Sequence, residues 1–447
     1  MSNLTQRRTW TMRDVLDRLR DHAGTDAARH QMDAAFAFAI RVVSAVIAFG
    51  SQVFLARVLG TYEFGVFTYV WLWVVILGTL APLGSSTSVV RFLPEFRVNL
   101  DWARYRGFLN WGQTTSLAAA SAVSAIGMLA LYSFQDSISA VYFIPAVLAL
   151  ATLPAFALTE FYDGVGRAES WIDLALGPPY IVRPILLLII MVVALALGAD
   201  ATAETAMWSA IIATYATVAI QYYLQTHRLK NTPLTQHSDQ DRKSWINVSL
   251  PLFVLDGLTL VMLNIDLMLL NFFITPDQLG IYFAASRLMA LVCFVHFAVS
   301  AVSMPRFAAV YISGNSNELS KLMTNMRHLT FWPSFVGTAI VLVLGQPLLT
   351  LFGPSFIDAY SMLFVFAVGH LAKAAAGPVQ ALLSVAGAQR QAVKILVATC
   401  LLALVLNILL IPKFGAMGAA MAMSAAFVVE AILGTLIALK LYQKTHP

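Results

Sequence analysis

Of 447 residues only 11% are charged, against roughly 25% in a soluble globular protein, while the hydrophobic set reaches 59% and mean hydropathy is +0.76. A soluble fold of this size needs far more charge to cover its surface. Soluble enzymes, disordered chains and fibrous proteins are excluded, and an all-α polytopic membrane protein is expected.

The first segment, residues 1–33, carries Arg7, Arg8, Arg13, Arg18, Arg20 and Arg29 without an apolar core and small-residue cleavage site. It reads as a cytosolic basic segment. Met12, Val15, Leu16 and Leu19 fit an amphipathic helix on an anionic leaflet, and a loose basic tail fits equally. A spanning helix needs about 20 mostly apolar residues. Stretches of this kind fall near 34–57, 63–83, 107–133, 139–160, 172–198 and 205–225, then 247–272, 278–304, 328–351, 357–380, 391–411 and 416–440. About twelve transmembrane helices are therefore expected. Gly60-Thr61-Tyr62-Glu63, Gly353-Pro354-Ser355 and Pro412-Lys413-Phe414-Gly415 are expected to form turns. Of the 28 Lys and Arg residues, only Arg57 and Lys413 fall on outer connections when the N-terminus is placed inside. By the positive-inside rule both termini are expected in the cytosol.

The two halves share a weak repeat. Gly65 in Glu63-Phe64-Gly65-Val66-Phe67 and Gly280 in Gln278-Leu279-Gly280-Ile281-Tyr282 are 215 residues apart, as are Arg91 and Arg306. With six spans per copy, both copies enter the bilayer in the same direction. This parallel repeat predicts two six-helix bundles, 34–225 and 247–447 with its short cytosolic tail, joined by a cytosolic linker at 226–246. Substrate is expected near the midplane between them, with alternating access by rocking.

An ionisable group inside a span is costly and is expected to face a partner, water or the bundle interior. The cationic set is Arg41, Arg183, Arg287 and Lys373. The acidic set is Asp256, Asp266 and Glu430. In one reading Arg and Lys line a cavity for an anionic head group, since guanidinium matches phosphate bidentately, and the acids couple transport to an ion. In the other the charges pair and hold helices together. Glu160 and Asp163 are expected to be solvated, His296 and His370 to be packing residues, and Cys293 and Cys400 to face lipid or core. Pro154, Gly177-Pro178-Pro179 with Pro184, Pro347 and Gly377-Pro378 mark helix interruptions that serve bending or are static kinks. Walker A, GxSxG, HExxH and Cys/His cluster motifs are absent, so neither an enzyme, a metal site, a cofactor nor a nucleic-acid partner is expected.

Ala56-Arg57-Val58-Leu59-Gly60 with Glu63-Phe64-Gly65-Val66-Phe67 resembles the opening motif of the Wzx-like polysaccharide flippases of the MOP exporter superfamily. Pro82-Leu83-Gly84 with Arg91-Phe92 is similar to the end of that family's second helix. Asp266, Gly280-Ile281-Tyr282 and Ala285-Ser286-Arg287-Leu288 resemble a third stretch, and Asn407-Ile408-Leu409-Leu410-Ile411-Pro412 with Gly415 and Gly418-Ala419-Ala420 a fourth. The resemblance implies a flippase that moves an undecaprenyl-diphosphate-linked oligosaccharide unit across the bacterial inner membrane, coupled to proton or sodium entry. The polyprenyl tail would stay in the lipid, and other polysaccharide-assembly proteins are expected as further partners. Arg287 and Asp266 lie on motifs the family shares, whereas Arg41, Arg183, Lys373, Asp256 and Glu430 are chosen by depth. A MATE-like drug or cation antiporter is the alternative on the same fold. An integral-membrane glycan polymerase or ligase is the alternative of another class, and the short outer loops disfavour it.

Overall fold

The computed structural model describes residues 26–230, 241–312 and 315–444; the N-terminal amphipathic segment and most of the linker lie outside these. Among the described residues every long element is a helix: α1 Asp26–Leu80, α2 Ser85–Val98, α3 Trp102–Ser133, α4 Ala140–Ala168, α5 Ile172–Gly177, α6 Arg183–Ala196 and α7 Ala203–Leu229 in the first half. The second half holds α8 Arg242–Leu270, α9 Pro276–Ala290, α10 Cys293–Ile312, α11 Ser316–Val343, α12 Gly345–Phe352, α13 Tyr360–Ala376, α14 Val379–Val385 and α15 Gln389–Lys444.

A straight helix of the 55 residues of α1 would run roughly 80 Å, far more than the hydrocarbon core of about 30 Å. It breaks at Gly60, whose φ of 74° is open to a residue without Cβ. The 56-residue α15 breaks in the same way at Gly415, φ 57°. Among the described residues nine stretches are long and apolar enough to span a membrane, and a tenth, Asn317–Val343 with Gly345–Phe352, is bent by 66°. Divided at Gly60 and Gly415, these helices make the twelve expected passes.

Two boundaries differ from expectation, and the break in the fifth pass falls where it was expected. The second pass does not end near residue 92: the chain jogs at Leu83 and Gly84, both at positive φ, and α2 continues to Val98. The ninth pass begins at Ser316 and ends at Val343, and Pro347 opens a reoriented short helix rather than kinking a continuous one. In the fifth pass, Pro178 and Pro179 lack the N–H groups of an α ladder, and the turn Pro178–Val182 widens into π geometry between α5 and α6.

Large apolar side chains on the outer faces, such as Ile189, Val193 and Val343, are exposed as a lipid-facing surface requires. The two halves meet most tightly where the 61–80 arm of α1 crosses α9. A Cβ on Gly65 would lie 1.9 Å from the Pro276 carbonyl oxygen and 3.2 Å from the Gly280 nitrogen, and one on Gly280 would lie 2.5 Å from the Thr61 carbonyl oxygen. Thr61 Oγ1 donates to Asp277 Oδ1 at 2.7 Å beside this crossing. Gly65 and Gly280, the positions 215 residues apart, thus meet at this crossing.

Candidate functional site

Three adjoining hollows lie within the second half and along its contact with α1. One, roughly 540 Å³, is walled chiefly by α8, α9, α10 and α13 and lined by Asn264, Asp266, Arg287, His296, His370 and Lys373. A second, roughly 380 Å³, shares Val75, Asn264, Arg287 and Ala290 with the first and adds Gln52, Thr68 and Trp71 from α1. A third, roughly 600 Å³, is an apolar groove between the 42–49 stretch of α1 and α10, lined by Val46, Phe49, Phe294, Val302 and Pro333 among others.

Arg287 stands where the two polar hollows join. Its guanidinium lies over the Phe283 ring at 4.5 Å, it is exposed into the cavity, and among the described residues it makes no ion pair. An exposed cation at this depth is held by cation–π contact and stays open to an anion. Lys373 lies one turn before the end of α13. The helix stops there at Gly377, φ 73°, and Arg327 Nε donates to the Ala376 carbonyl at 3.1 Å. Lys373 Nζ pairs with Glu430 Oε2 at 3.0 Å and sits 4.9 Å from the Phe427 ring centre.

The other expected residues are elsewhere. Arg183 stacks on Phe156 at 4.7 Å and on Trp71 at 5.9 Å, so it lies behind the cavity wall that Trp71 forms. Arg41 lies on α1 with its side chain outside the described residues. Asp266 is 6% exposed and lines the hollow of roughly 540 Å³, where its Oδ2 accepts from Tyr282 Oη at 2.5 Å. Asp256 accepts from Thr87 Oγ1 at 2.8 Å in the seam between α2 and α8, beside a contact of Ser88 Oγ with Ser249 Oγ at 2.7 Å. Glu430 lies behind Lys373 in a small pocket of roughly 30 Å³ with His296 and Gln380.

Some expectations are corrected. Asp163 is 7% exposed rather than solvated and pairs with Arg167 at 3.0 Å, because the C-terminal end of α4 is covered by α2. Cys293 lines the cavity, with its Sγ 3.2 Å from His370 Nδ1, whereas Cys400 is buried. His296 and His370 also line the cavity rather than only packing. Gln52 and Asn264 escaped the sequence reading because an uncharged amide in a span carries no cost large enough to mark it. Asn264 had one signal, its place two residues from the motif Asp266.

The end of the molecule bearing Gly60 and Gly353 is sealed. Phe49 meets Phe352 edge-on at 5.5 Å, Phe64 meets Phe356 at 5.9 Å, and Tyr142 Oη donates to Asn271 Oδ1 at 2.5 Å. At the other end the α2–α8 seam is closed further by Arg104 with Asp241 at 2.6 Å, while the opposite flank, between α1 and α10, holds the apolar groove.

Two family models match the chain: polysaccharide biosynthesis protein over residues 32–311 and lipid II flippase MurJ over residues 180–446. A probable flippase, AglR, of Haloferax volcanii is 27% identical over 186 residues, which are 40% of this chain and 38% of that protein. The match thus spans well under half the length of this relative. Among solved structures, the lipid II flippase MurJ in an inward closed conformation superposes with a TM-score of 0.71 at 12% identity, covering 92% of this chain and 90% of that one. An inward-facing multidrug resistance MATE family transporter of the MOP superfamily superposes with a TM-score of 0.70 at 15% identity, covering 90% and 96%.

Proposed function

Because the chain belongs to the polysaccharide biosynthesis protein family, we propose that it is a flippase that moves an undecaprenyl-diphosphate-linked oligosaccharide repeat unit across the bacterial inner membrane. The observation that carries this reading is Arg287, a cation with no ion pair among the described residues, at the junction of two polar hollows that adjoin an apolar groove. Ala290, Leu291 and Phe294 lead from the polar hollow of Arg287 toward the groove, so an amphiphile can place a diphosphate on the guanidinium and its tail between α1 and α10. Guanidinium gives phosphate two parallel charge-assisted hydrogen bonds, and a dry wall strengthens them. The sugars would occupy the compartment of Gln52, Thr68 and Trp71, whose amide, hydroxyl and aromatic face suit a glycan.

In this scheme the bundles 34–225 and 247–447 rock about the Gly65–Gly280 crossing, with the linker 226–246 between them. Both termini are cytosolic, which puts the sealed end on the periplasmic side. Ion entry drives the cycle, and other polysaccharide-assembly proteins supply and take away the lipid-linked unit. A MATE-like exporter of organic cations shares the fold, but an exposed Arg287 repels a cation, and Asp266 is already tied to Tyr282.

Deleting the gene is expected to leave lipid-linked repeat units on the cytosolic face and to remove one surface polysaccharide. Extraction of the lipid-linked pool, with antibody or lectin staining of the cell surface, reads both. Normal surface glycan beside raised sensitivity to cationic dyes would replace this reading with the antiporter.

A further inference from the structure

We infer that Arg306 and Lys321 form a landing site for the diphosphate of a lipid-linked glycan at the mouth of the apolar groove. The inference rests on the flippase reading, which puts this end of the molecule in the cytosol. The internal repeat sets the groove apart. Counting back 215 residues from Val299, Val302 and Ser303 on α10 gives Gly84, Thr87 and Ser88. In the first half these positions zip the seam with α8: a Cβ on Gly84 would lie 2.1 Å from the Ser249 carbonyl oxygen, Thr87 donates to Asp256, and Ser88 meets Ser249. In the second half Val299 and Val302 line the groove instead, and Ser303 turns its hydroxyl back to the Val299 carbonyl of its own helix at 2.6 Å. Val46, Val302 and Leu329 stand exposed along the groove, so this seam opens to the bilayer and a lipid chain can enter it.

The mouth of the groove is cationic. Leu291, Val295, Ala298 and Val302 form the stripe that lines it beside α1, and Arg306 continues that stripe by one turn, exposed. Lys321, also exposed, lies about two turns before Leu329, where α11 joins the groove. Neither cation makes an ion pair among the described residues. Arg327, on the same stretch of α11, is committed elsewhere through its bond to the Ala376 carbonyl. Cations that only set topology are common on a cytosolic face, and the first half shows how the protein otherwise disposes of them. There Arg97 pairs with Glu169, Arg104 with Asp241, Arg167 with Asp163 and Arg228 with Asp173. Topology asks the same of both halves, so it does not account for two open cations at the groove. The phosphates of a lipid in this leaflet ride at the depth of these cations while its chain lies level with the groove. Arg306 lies twelve residues beyond Phe294, about 18 Å along the helix, so a diphosphate on Arg306 has not yet reached the hollow of Arg287. The protein thus offers two stations: the outer pair gathers substrate at the mouth by its field, and Arg287 binds it within.

The test is the initial rate of transbilayer movement by the purified full chain in sealed phosphatidylcholine vesicles, read against the outer-leaflet density of an undecaprenyl-diphosphate-linked oligosaccharide. Arg306→Gln combined with Lys321→Gln is expected to raise the half-saturating density about 25-fold, about fivefold per charge, with the saturated rate unchanged. Arg306→Lys is expected to behave as the native protein, since a landing site needs the charge and not the planar fork. In molar salt the Debye length falls to about 3 Å, so the native protein is expected to lose its advantage while the double variant changes little. Arg390→Gln combined with Lys394→Gln removes two exposed cations from the same end, on α15 and off the groove, and is expected to leave the half-saturating density unchanged. Replacing part of the phosphatidylcholine by phosphatidylglycerol separates the sources of lipid phosphate: competition for the site is expected to narrow the gap between native and double variant. An unchanged half-saturating density in the double variant, an equal rise in the α15 control, or a gap that appears only with phosphatidylglycerol present would overturn the landing site and leave the flippase reading standing. A fall in saturated rate at unchanged half-saturating density would overturn it as well, because the two side chains would then be structural. Should the double variant fail to insert, Lys321→Gln alone carries the same test with a fivefold effect. No movement by the native protein would overturn both readings.

Discussion

Arg287→Ala is expected to abolish export of the surface polysaccharide while the protein remains in the membrane at native abundance. Arg287 makes no ion pair among the described residues, its side chain is exposed into the cavity beside the Phe283 ring, and the nearby buried carboxylate Asp266 keeps its hydrogen bond from Tyr282 without it, so its removal opens no packed core. Truncating one partner of a buried charge pair costs about 2–5 kcal/mol, and here that cost falls on the complex with diphosphate alone. The affinity should drop by roughly 30-fold to several thousand-fold. Arg287→Lys keeps the charge but loses the planar fork, so an intermediate defect is expected. Quantitative surface-glycan staining beside immunoblots of membrane fractions separates the two effects. If abundance collapses together with export, the arginine is structural.

Gly65→Ala and Gly280→Ala are each expected to destabilise the protein, contrary to the usual sign of such a change in a helix. Alanine within a helix ordinarily gains up to about 1 kcal/mol over glycine. At Gly65 the new methyl would sit 1.9 Å from a backbone oxygen, and at Gly280 it would sit 2.5 Å from another. Overpacking against rigid backbone costs about 1–3 kcal/mol or more, so the steric term wins at both sites. Gly337→Ala is the control, since nothing lies within 4 Å of its added Cβ, and it should raise the unfolding temperature or leave it unchanged. Thermal unfolding of the three variants in one detergent reads the difference. Equal behaviour at Gly65 and Gly337 would mean that the two halves do not close on this crossing.

The passes were legible because lipid demands long apolar runs, and three turns were legible because Gly60, Gly353 and Gly415 occupy backbone conformations closed to other residues. The pairing of Gly65 with Gly280 was visible as a repeat spacing, though not as a contact. Helix faces were not legible. In a soluble helix the polar side announces itself, but a span bordered by lipid and by protein is apolar all round, and this removes the periodicity. Depth therefore ranked Arg183 with Arg287 and Asp256 with Asp266, although Arg183 lies behind Trp71 and Asp256 in the α2–α8 seam. The motif residues Arg287 and Asp266 both line the cavity, and of the residues chosen by depth Lys373 joins them there. The partnership of Lys373 with Glu430 joins residues 57 apart on different helices, a relation that only the fold discloses.

The most direct measurement is transbilayer movement itself. Purified protein in sealed vesicles is supplied with an undecaprenyl-diphosphate-linked oligosaccharide in the outer leaflet, and its arrival in the inner leaflet is followed by protection from an added glycosidase. Native protein is expected to speed this movement well above that of empty vesicles, under an imposed proton gradient, while Arg287→Ala matches the empty vesicles. Movement no faster than in empty vesicles, or equally fast with Arg287→Ala, would contradict a flippase working through this cavity.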